Sequence, residues 1–449
     1  MRLVTGKLYA IRRKEPGSGA PVEPWTTEPS THFSGRLFNE PPYGWLIEQT
    51  SAGTYRTVSF GAMAATSIID VAKRLLANVD NDCSDETDSI MRVPVRSYVD
   101  PARYGAEIDA IFLRSPLLVA LSADLRKPGD YSALTITGRP LLCVRGEDGV
   151  ARVFLNVCRH RGAAVSDQGF GCSRRFTCPY HFWVYDTQGT LVGNTAKDAF
   201  AGLDVDGLVE LPSAERAGAL FAVLTPGLTF DVDDWLGDMG PALEILELNN
   251  LHRHRDGLPA ESGNWKITAD GYVDGYHLGY LHRNTIGTKS ITNRNTYDCF
   301  GPHVRLGFAN KPLPAMRGLP QDEWRLREAM SLVHYVFPNI SISGLPGSGL
   351  MVSRILPGPT PLRCVVEQFQ YFREPMETAD QIADANSKRD LYYRVTRDED
   401  FAKVLKITDG LGSIADDFFR YGRNEVGNQN VHRWIDTLVA SSPLAALTH

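Results

Sequence analysis

Two short segments that each pair one cysteine with one histidine constrain this chain more than any other feature. Cys158 precedes His160 by two residues, and Cys178 precedes His181 by three residues. A structural zinc site usually takes a Cys pair from one segment and a His pair, or more Cys, from another. Each segment here offers one thiolate and one imidazole. That mixture favours a centre with two chemically different metal atoms.

Length, charge and composition limit the class of protein. A chain of 449 residues with 43% hydrophobic residues is long enough for two or three domains with buried cores. The formal net charge of −6 offers no basic field for nucleic acid or an anionic membrane. No apolar run reaches the roughly 20 residues of a membrane span. Because the first residues lack the apolar core of a signal peptide, we expect a cytoplasmic protein.

Amino-acid composition and hydrophobic spacing change along the chain, and these changes predict four segments. Residues 1–65 are rich in Pro, Gly, Ser and Thr, which predicts an irregular extension. Amphipathic helical spacing predicts a helical lead-in over residues 66–127. Short β-branched stretches predict a small all-β domain over residues 128–230, with both Cys/His pairs in loops between strands. Mixed helical and extended stretches predict a second domain over residues 231–449.

The spacing of the four ligand candidates favours an iron–sulfur cluster over zinc. In a Rieske centre, one iron of a [2Fe–2S] cluster binds two Cys and the other binds two His. The order C-x-H, seventeen residues, then C-x-x-H fits that division. The segments CRHRG and CPYH resemble the Rieske signature, which makes Cys158, His160, Cys178 and His181 the predicted cluster ligands. Phe182 departs from the family, which usually has Gly after the second His.

Two devices that raise the potential of respiratory-chain Rieske proteins have no counterpart here. Those proteins carry a disulfide between the two loops and a Ser that hydrogen-bonds the cluster. The matching positions are Ala163, Tyr180 and Trp183. Fewer hydrogen bonds to the cluster imply a potential toward the low end of the Rieske range, roughly −150 mV. Such a cluster suits the donation of electrons to a second metal.

The segment NWKITADGYVDGYHLGYLHRNTIG offers ligands for that second metal. Asp274, His277 and His282 follow the order D-x-x-H-x-x-x-x-H. On an ideal helix, residues five apart diverge by about 140°. We therefore expect a π-like widening, made easier by Gly275 and Gly279, to bring both imidazoles to one ion. This order, with NWK before it, resembles the mononuclear iron site of Rieske non-heme iron oxygenases.

Two histidines need one carboxylate to complete the facial triad that leaves coordination positions open for O2. Asp400 resembles the family's ligand, because it follows an acidic residue and precedes Gly410 by ten residues. Thr408 stands where many relatives carry Gln. Asp417, in the segment IADDFFRYGRNE, is the alternative on acidic pairing alone.

The three motifs together resemble the large (α) oxygenase component of a Rieske ring-hydroxylating oxygenase over residues 66–449. The resemblance implies an α+β fold class, in which a small all-β Rieske [2Fe–2S] domain joins a helix-grip catalytic domain, an antiparallel sheet packed on helices. It implies a [2Fe–2S] Rieske cluster, a mononuclear Fe(II) and a homotrimer, with a separate β subunit in some relatives. No G-x-G-x-x-G motif follows a predicted strand, so NAD(P)H electrons would arrive through a separate reductase, with or without a ferredoxin.

The resemblance also gives Asp274 a role that is not that of a metal ligand. Residues three apart on a helix share a face, so Asp274 would orient His277 from behind. In the family, the matching Asp also reaches the Rieske His of a neighbouring subunit. Carried over, His181 of one chain and Asp274 and His277 of the next would form an electron bridge.

The expected reaction is hydroxylation of an aromatic substrate with O2, by default to a cis-diol. The nearest alternative is monohydroxylation or oxidative demethylation of a non-aromatic or quaternary amine substrate at the same site. A non-catalytic Rieske electron carrier and a zinc-binding module are alternatives of other classes. The residues Tyr272, Tyr280, Leu281, Phe308 and Met351 are candidates for a substrate pocket, although such side chains more often fill a core.

Overall fold

The structure, a computed structural model, describes residues 67–202, 207–255 and 257–441, together with four short strands nearer the start. The chain divides into two compact units, Met1–Gly44 and Trp45–His449. The first unit contains the antiparallel pair β1–β2, and the second contains the antiparallel pair β3–β4 and all later elements. Apart from these strands, the extension predicted over residues 1–65 lies outside the described residues.

The elements are numbered here in chain order. The helices are α1 (Ile68–Asp80), α2 (Arg96–Val99), α3 (Pro101–Glu107), α4 (Val232–Leu236), α5 (Met239–Glu244), α6 (Trp265–Val273), α7 (Leu278–Leu281), α8 (Leu326–Ala329), α9 (Ala379–Arg394), α10 (Ala402–Gly410) and α11 (Val426–Ala440), with π-helical segments at Ile108–Leu113 and Val395–Phe401. The strands are β1 (Arg2–Val4), β2 (Lys7–Tyr9), β3 (Trp45–Gln49), β4 (Tyr55–Ser59), β5 (Met91–Pro94), β6 (Leu117–Leu121), β7 (Asp130–Ile136), β8 (Arg139–Arg145), β9 (Ala151–Leu155), β10 (Gly169–Cys172), β11 (Arg175–Thr177), β12 (Val184–Asp186), β13 (Leu191–Gly193), β14 (Glu210–Leu211), β15 (Ser213–Arg216), β16 (Ala219–Ala222), β17 (His252–Arg253), β18 (Leu258–Ser262), β19 (Ser290–Phe300), β20 (His303–Asn310), β21 (Met330–Val336), β22 (Ile340–Ser343), β23 (Leu350–Pro357), β24 (Cys364–Phe372) and β25 (Phe418–Tyr421). No described helix is both long and apolar enough to cross a bilayer.

The first half of the described chain is built from small antiparallel sheets. One sheet has the strand order β10-β7-β8-β9-β14, and a second has the order β11-β12-β13. The turns between β8 and β9 and between β12 and β13 carry Gly149 and Gly189 at φ values of 79° and 80°, which favour glycine. One Cys/His loop follows β9 and the other joins β11 to β12. The sequence prediction of loops between strands is therefore confirmed.

The lead-in predicted over residues 66–127 is only partly helical. It contains α1, α2 and α3, but also the strands β5 and β6. All five residues of β6, LLVAL, are buried, and the strand pairs with β16. A short apolar run of this kind fits a buried strand as well as a buried helix, and its partner lies far along the chain. The boundaries at residues 65, 127 and 230 stay predictions.

An eight-stranded sheet in the order β17-β24-β23-β22-β21-β20-β19, with β18 also paired to β24, forms the second half. Its neighbouring strands are antiparallel. One face packs on α5 through Leu350, Val352 and Phe369. The other face packs on α6 and α11. The predicted α+β class, an all-β domain followed by an antiparallel sheet packed on helices, is confirmed.

A buried polar anchor fixes the start of α6. Asn264 caps the helix by accepting a hydrogen bond from Lys266 N at 2.8 Å, and its side-chain amide donates to the carbonyls of Tyr98 and Pro361. Glu107, which is fully buried, pairs with the Lys266 ammonium and accepts a hydrogen bond from Trp265 Nε1 at 3.0 Å. The NWK segment therefore sets the position of α6 on the sheet.

Replacing Glu107 with Gln should destabilise the protein by about 3–5 kcal/mol, because it leaves a buried Lys266 ammonium without its counter-charge. Burial already lowers the pKa of Lys266, while Glu107 opposes that effect. Urea denaturation followed by tryptophan fluorescence measures the change. The matched control is Glu261→Gln, which removes an exposed ion pair with Arg363 and should cost at most about 1 kcal/mol. Equal losses of unfolding free energy in the two variants would contradict the proposed role of Glu107 as the partner of Lys266.

Candidate metal centres

The two Cys/His loops have the same backbone plan. Cys158 N donates to Ala163 O at 2.8 Å and Cys158 O accepts from Gly162 N at 2.9 Å. In the second loop, Cys178 N donates to Trp183 O at 2.8 Å and Cys178 O accepts from Phe182 N at 3.0 Å. Each cysteine thus begins a tight turn that contains its histidine, and both cysteines are buried.

The two histidines of these loops face each other. The rings of His160 and His181 lie 4.5 Å apart, and His160 stacks on the buried Trp183 at 5.1 Å. The Nδ1 atoms of both histidines are buried and find no hydrogen-bond partner among the described residues. Buried polar atoms are almost always satisfied. Two unpartnered imidazole nitrogens, in the same two loops as two buried thiols, fit a cluster that binds two Cys and two His.

Tyr185, on β12, contacts Cys158 and Arg159 of the first loop. Its hydroxyl lies 3.3 Å from Cys158 Sγ and accepts a hydrogen bond from Arg159 N at 3.0 Å. Burial, followed by the contact with Cys158, raises the pKa of Tyr185 well above its ordinary value. The phenol therefore stays protonated and is able to donate to the sulfur. This hydrogen bond was not foreseen from the sequence.

Phe182 occupies a backbone conformation that favours glycine. Its φ is 57°, in the left-handed region, where a non-glycine residue costs about 1–2 kcal/mol. The ring is also 60% exposed. The structure thus explains why Gly suits this position, and it places an exposed aromatic ring beside His181.

The second His pair lies at a break between two helices. α6 ends at Val273, and α7 is a single turn with His277 at its N-cap and His282 at its C-cap. The two rings are 5.1 Å apart. The predicted π-like widening between the histidines is therefore wrong, because a broken helix brings them together instead. The π-helical segment lies at Val395–Phe401, which carries Asp400.

The two glycines of this segment allow close packing on β19. A Cβ on Gly275 would lie 2.5 Å from the side chain of Asn295, and one on Gly279 would lie 1.9 Å from Thr292 Oγ1. A side chain at either position would push α7 away from the sheet. Their role is close approach, not the easier helix distortion expected from the sequence.

Asp400 is the carboxylate that the fold brings to this His pair. Asp400 Oδ1 lies 3.1 Å from His282 Nε2 and 3.6 Å from His277 Nε2. One ligand atom from each of the three residues lies within 4.8 Å of the others. Asp417 is elsewhere, half exposed at the start of β25, where it accepts hydrogen bonds from Phe418 N and Arg420.

A carboxylate stands behind each histidine of the pair. Asp274 Oδ2 lies 3.0 Å from His277 Nδ1, as the spacing predicted. Glu399 Oε2 lies 2.6 Å from His282 Nδ1 and accepts a hydrogen bond from Thr285 Oγ1 at 2.9 Å. Sequence reasoning missed Glu399 as a partner of His282, although its place directly before Asp400 was visible.

The electrostatics of this site favour a cation. Burial lowers the pKa values of His277 and His282, but neighbouring carboxylates outweigh burial and raise both. The carboxylates responsible are Asp274 and Asp400 at His277, and Asp400 and Glu399 at His282. Two neutral imidazoles and one carboxylate are a donor set that suits non-heme Fe(II), and the residues therefore fit that ion.

Comparison with known proteins agrees with both centres. The family described as "Rieske [2Fe-2S] domain" matches residues 115–212, and the family described as "Ring hydroxylating alpha subunit (catalytic domain)" matches residues 248–441. The carnitine monooxygenase oxygenase subunit of Escherichia coli (strain K12) is 28% identical over 342 residues, which is 74% of this chain and 87% of that protein. The benzene 1,2-dioxygenase α subunit of Pseudomonas putida is 33% identical over 200 residues, which is 42% of this chain and 43% of that protein.

Solved structures share the fold. A quaternary ammonium Rieske monooxygenase in complex with L-carnitine superposes with a TM-score of 0.66 at 23% identity, covering 79% of this chain and 96% of that one. Naphthalene 1,2-dioxygenase from Rhodococcus sp. superposes with a TM-score of 0.65 at 22% identity, covering 84% of this chain and 99% of that one.

The Asp400→Ala variant should lose about one iron per chain and all turnover while it keeps the visible spectrum of the cluster, because only the three-residue site is damaged. Iron analysis and absorption spectroscopy on the same sample measure both. Asp417→Ala is the matched control and should keep its iron. If Asp417→Ala loses the iron instead, Asp417 is the ligand and the assignment to Asp400 is wrong.

Proposed function

Because this chain belongs to the Rieske non-heme iron oxygenases, as an oxygenase α subunit, we propose that it hydroxylates an organic substrate with O2 and NAD(P)H-derived electrons. The observation that carries the proposal is the presence of both donor sets in one chain, a Cys/His set for a cluster and a His/His/Asp set for a single ion. An electron carrier would need only the first set.

We assign the ligands from these donor sets. Cys158 and Cys178 would hold one iron of the cluster, and His160 and His181, through their unpartnered Nδ1 atoms, would hold the other. A second set of residues, His277, His282 and Asp400, would hold the mononuclear Fe(II). When bound, the two groups supply one-electron transfer and the activation of O2.

The residues behind the mononuclear site orient its imidazoles. Asp274 and Glu399 hold the Nδ1 atoms of His277 and His282, which leaves each Nε2 directed at Asp400. Such partners fix the tautomer and ring orientation of a metal-binding His, and their loss typically costs 10–100-fold in metal affinity or activity.

Two exposed aromatic surfaces support an electron bridge between neighbouring chains. Tyr180 and Phe182 are 59% and 60% exposed beside His181, and Tyr276 and Tyr280 are 46% and 62% exposed beside His277. Exposed aromatic residues of this kind are enriched in protein interfaces. We propose that the first surface of one chain docks on the second surface of the next in a homotrimer, which would bring His181 to Asp274.

The external partners follow from the family and from the sequence. Electrons would come from an NAD(P)H-dependent reductase, directly or through a ferredoxin, because the chain shows no nucleotide-binding motif of its own.

For the reaction itself, cis-dihydroxylation of an aromatic substrate is the main proposal. Monooxygenation of a quaternary amine is the second candidate, favoured by the match to 87% of the carnitine monooxygenase subunit against 43% of the benzene dioxygenase α subunit. Turnover with a surrogate reductase, ¹⁸O2 and a mixed panel of aromatics, terpenoids and quaternary amines separates them by mass spectrometry. An aromatic cis-diol with two labelled oxygens supports the first candidate, and a product of a quaternary amine with one labelled oxygen supports the second.

The purified protein should be red-brown and hold about three irons per chain, two in the cluster and one mononuclear. Metal analysis, the visible spectrum and the electron paramagnetic resonance of the reduced protein measure this. Stoichiometric zinc without visible absorption would instead indicate a zinc-binding module. Two irons per chain with no mononuclear iron would indicate an electron carrier.

The Asp274→Ala variant should keep its cluster spectrum, yet turn over at least tenfold more slowly, because the link between His277 and the neighbouring chain is lost. Rapid mixing of the reduced variant with O2 and a turnover substrate should show slow reoxidation of the cluster. The control Asp384→Ala removes an exposed carboxylate on α9 and should reoxidise normally. Normal reoxidation of Asp274→Ala, or full turnover by a monomer, would contradict the bridge.

A further inference from the structure

One face of the large sheet carries a buried row of hydroxyl and amide side chains. Ser341 on β22 pairs with Ser353 on β23, which pairs with Gln368 on β24. Directly paired residues of an antiparallel sheet point to the same face, as do residues two apart on one strand. Ser343 and Gln370 therefore extend the row on that face. These five residues form the polar patch, and all except Ser343 are at most 4% exposed.

The polar patch lies beside the His277/His282/Asp400 site. Thr396, four residues before Asp400 on the same π-helical segment, donates a hydrogen bond to Gln368 Oε1 at 3.0 Å. Two tyrosines cover the patch from the helices, and Tyr392 Oη lies 3.4 Å from Ser343 Oγ. Burial raises the pKa values of Tyr272 and Tyr392, and the charge of Asp400 adds to both shifts.

Three buried polar atoms of this region have no hydrogen-bond partner within the described part of the chain. They are Tyr272 Oη, Ser341 Oγ and Gln370 Oε1. Ser353 and Gln368 lie close enough to Tyr272 to oppose the rise in its pKa, but neither forms a hydrogen bond of good geometry with it. Buried groups left unpaired are rare in native proteins and call for a specific partner.

Resting on the proposed function, we propose that the substrate is uncharged and bears hydroxyl groups that bind Tyr272, Ser341 and Gln370. A hydroxyl is both donor and acceptor, so it pairs with a phenol, with a serine and with either end of a glutamine amide. The patch contains no charged side chain to neutralise a substrate carboxylate. Its chemistry therefore selects for a neutral alcohol or phenol over an ion.

The same chemistry selects against substrates without hydroxyl groups, including the unsubstituted aromatic hydrocarbons and the hydroxyl-free quaternary amines among the candidates above. An aromatic hydrocarbon and a trimethylammonium group both lack hydrogen-bonding groups, so either would leave three buried polar atoms unpaired. A site built to hydrogen-bond a hydroxyl discriminates against an analogue without it, because the buried polar groups of the site are then left unpaired. Of the pocket residues suggested by the sequence, Tyr272 lies over the patch and Met351 lies within its rows, between Ser343 and Gln370.

A series of ring probes tests the inference without turnover. One-, two- and three-ring alcohols are compared with their parent hydrocarbons and their trimethylammonium counterparts by calorimetric titration of the iron-loaded protein under nitrogen. The tightest alcohol should bind at least tenfold more tightly than its two counterparts. Equal or weaker binding of every alcohol, including no binding at all, would overturn the proposal.

Two variants separate ligand binding from structure. Tyr272→Phe and Ser341→Ala should each weaken the alcohol about tenfold and leave the hydrocarbon unchanged. Neither should lower the melting temperature, because the atoms removed have no partner in the free protein. The control Ser132→Ala, a buried serine on β7, should not change the preference. A lower melting temperature with unchanged binding would show a structural role and overturn the assignment.

Iron content and the cluster spectrum are measured on the same samples. If both are absent, the proposed oxygenase function fails. If both are present and the hydrocarbons bind as well as the alcohols, only the substrate inference fails.

Discussion

The end of α6 at Val273 is the constraint on which the mononuclear site depends. Had the helix continued, His277 and His282 would point about 140° apart and could not share an ion. The chain instead extends at Asp274 and resumes as the single turn of α7. Packing on β19 stabilises this break. The residues before α7 and α7 itself lie so close to β19 that only glycine fits at positions 275 and 279. The anchor of NWK on Glu107 then fixes the other end of α6.

Most of the proposed ligands could be predicted from the sequence because they lie in short segments, whereas Asp400 is far along the chain from His277 and His282. The two residues of each Cys/His pair, and of the His pair, lie at most five positions apart in the sequence. The strands around the loops are predicted by alternating hydrophobic residues and by turn residues. The helix break could not be read in the same way. The segment ITADGYVDGYHLGYL has no proline to mark the break, and the close approach of Gly275 and Gly279 to β19 is a tertiary contact that local preference does not reveal.

Contacts between residues far apart along the chain were also not predictable from the sequence. Glu399 supports His282 across 117 residues of chain, and its identity depends on the register of the π-helical segment. The polar patch is a similar case, since Ser341, Ser353 and Gln368 meet only through strand pairing. In the sequence, each of these residues looks like an ordinary serine or glutamine in a strand. Side chains on three strands become a binding surface only once the register is known.

The π-helical segment Val395–Phe401 joins the two halves of the proposed active site. Thr396 near its start holds Gln368 of the polar patch, and Asp400 near its end faces the histidine pair. π-helical turns are strained relative to α-helix and concentrate where function requires them. A ligand on the polar patch would therefore act on the same helical segment that carries Asp400. The polar patch and Asp400 are connected through four residues of backbone, so a change at Thr396 is expected to alter both Gln368 and the position of Asp400.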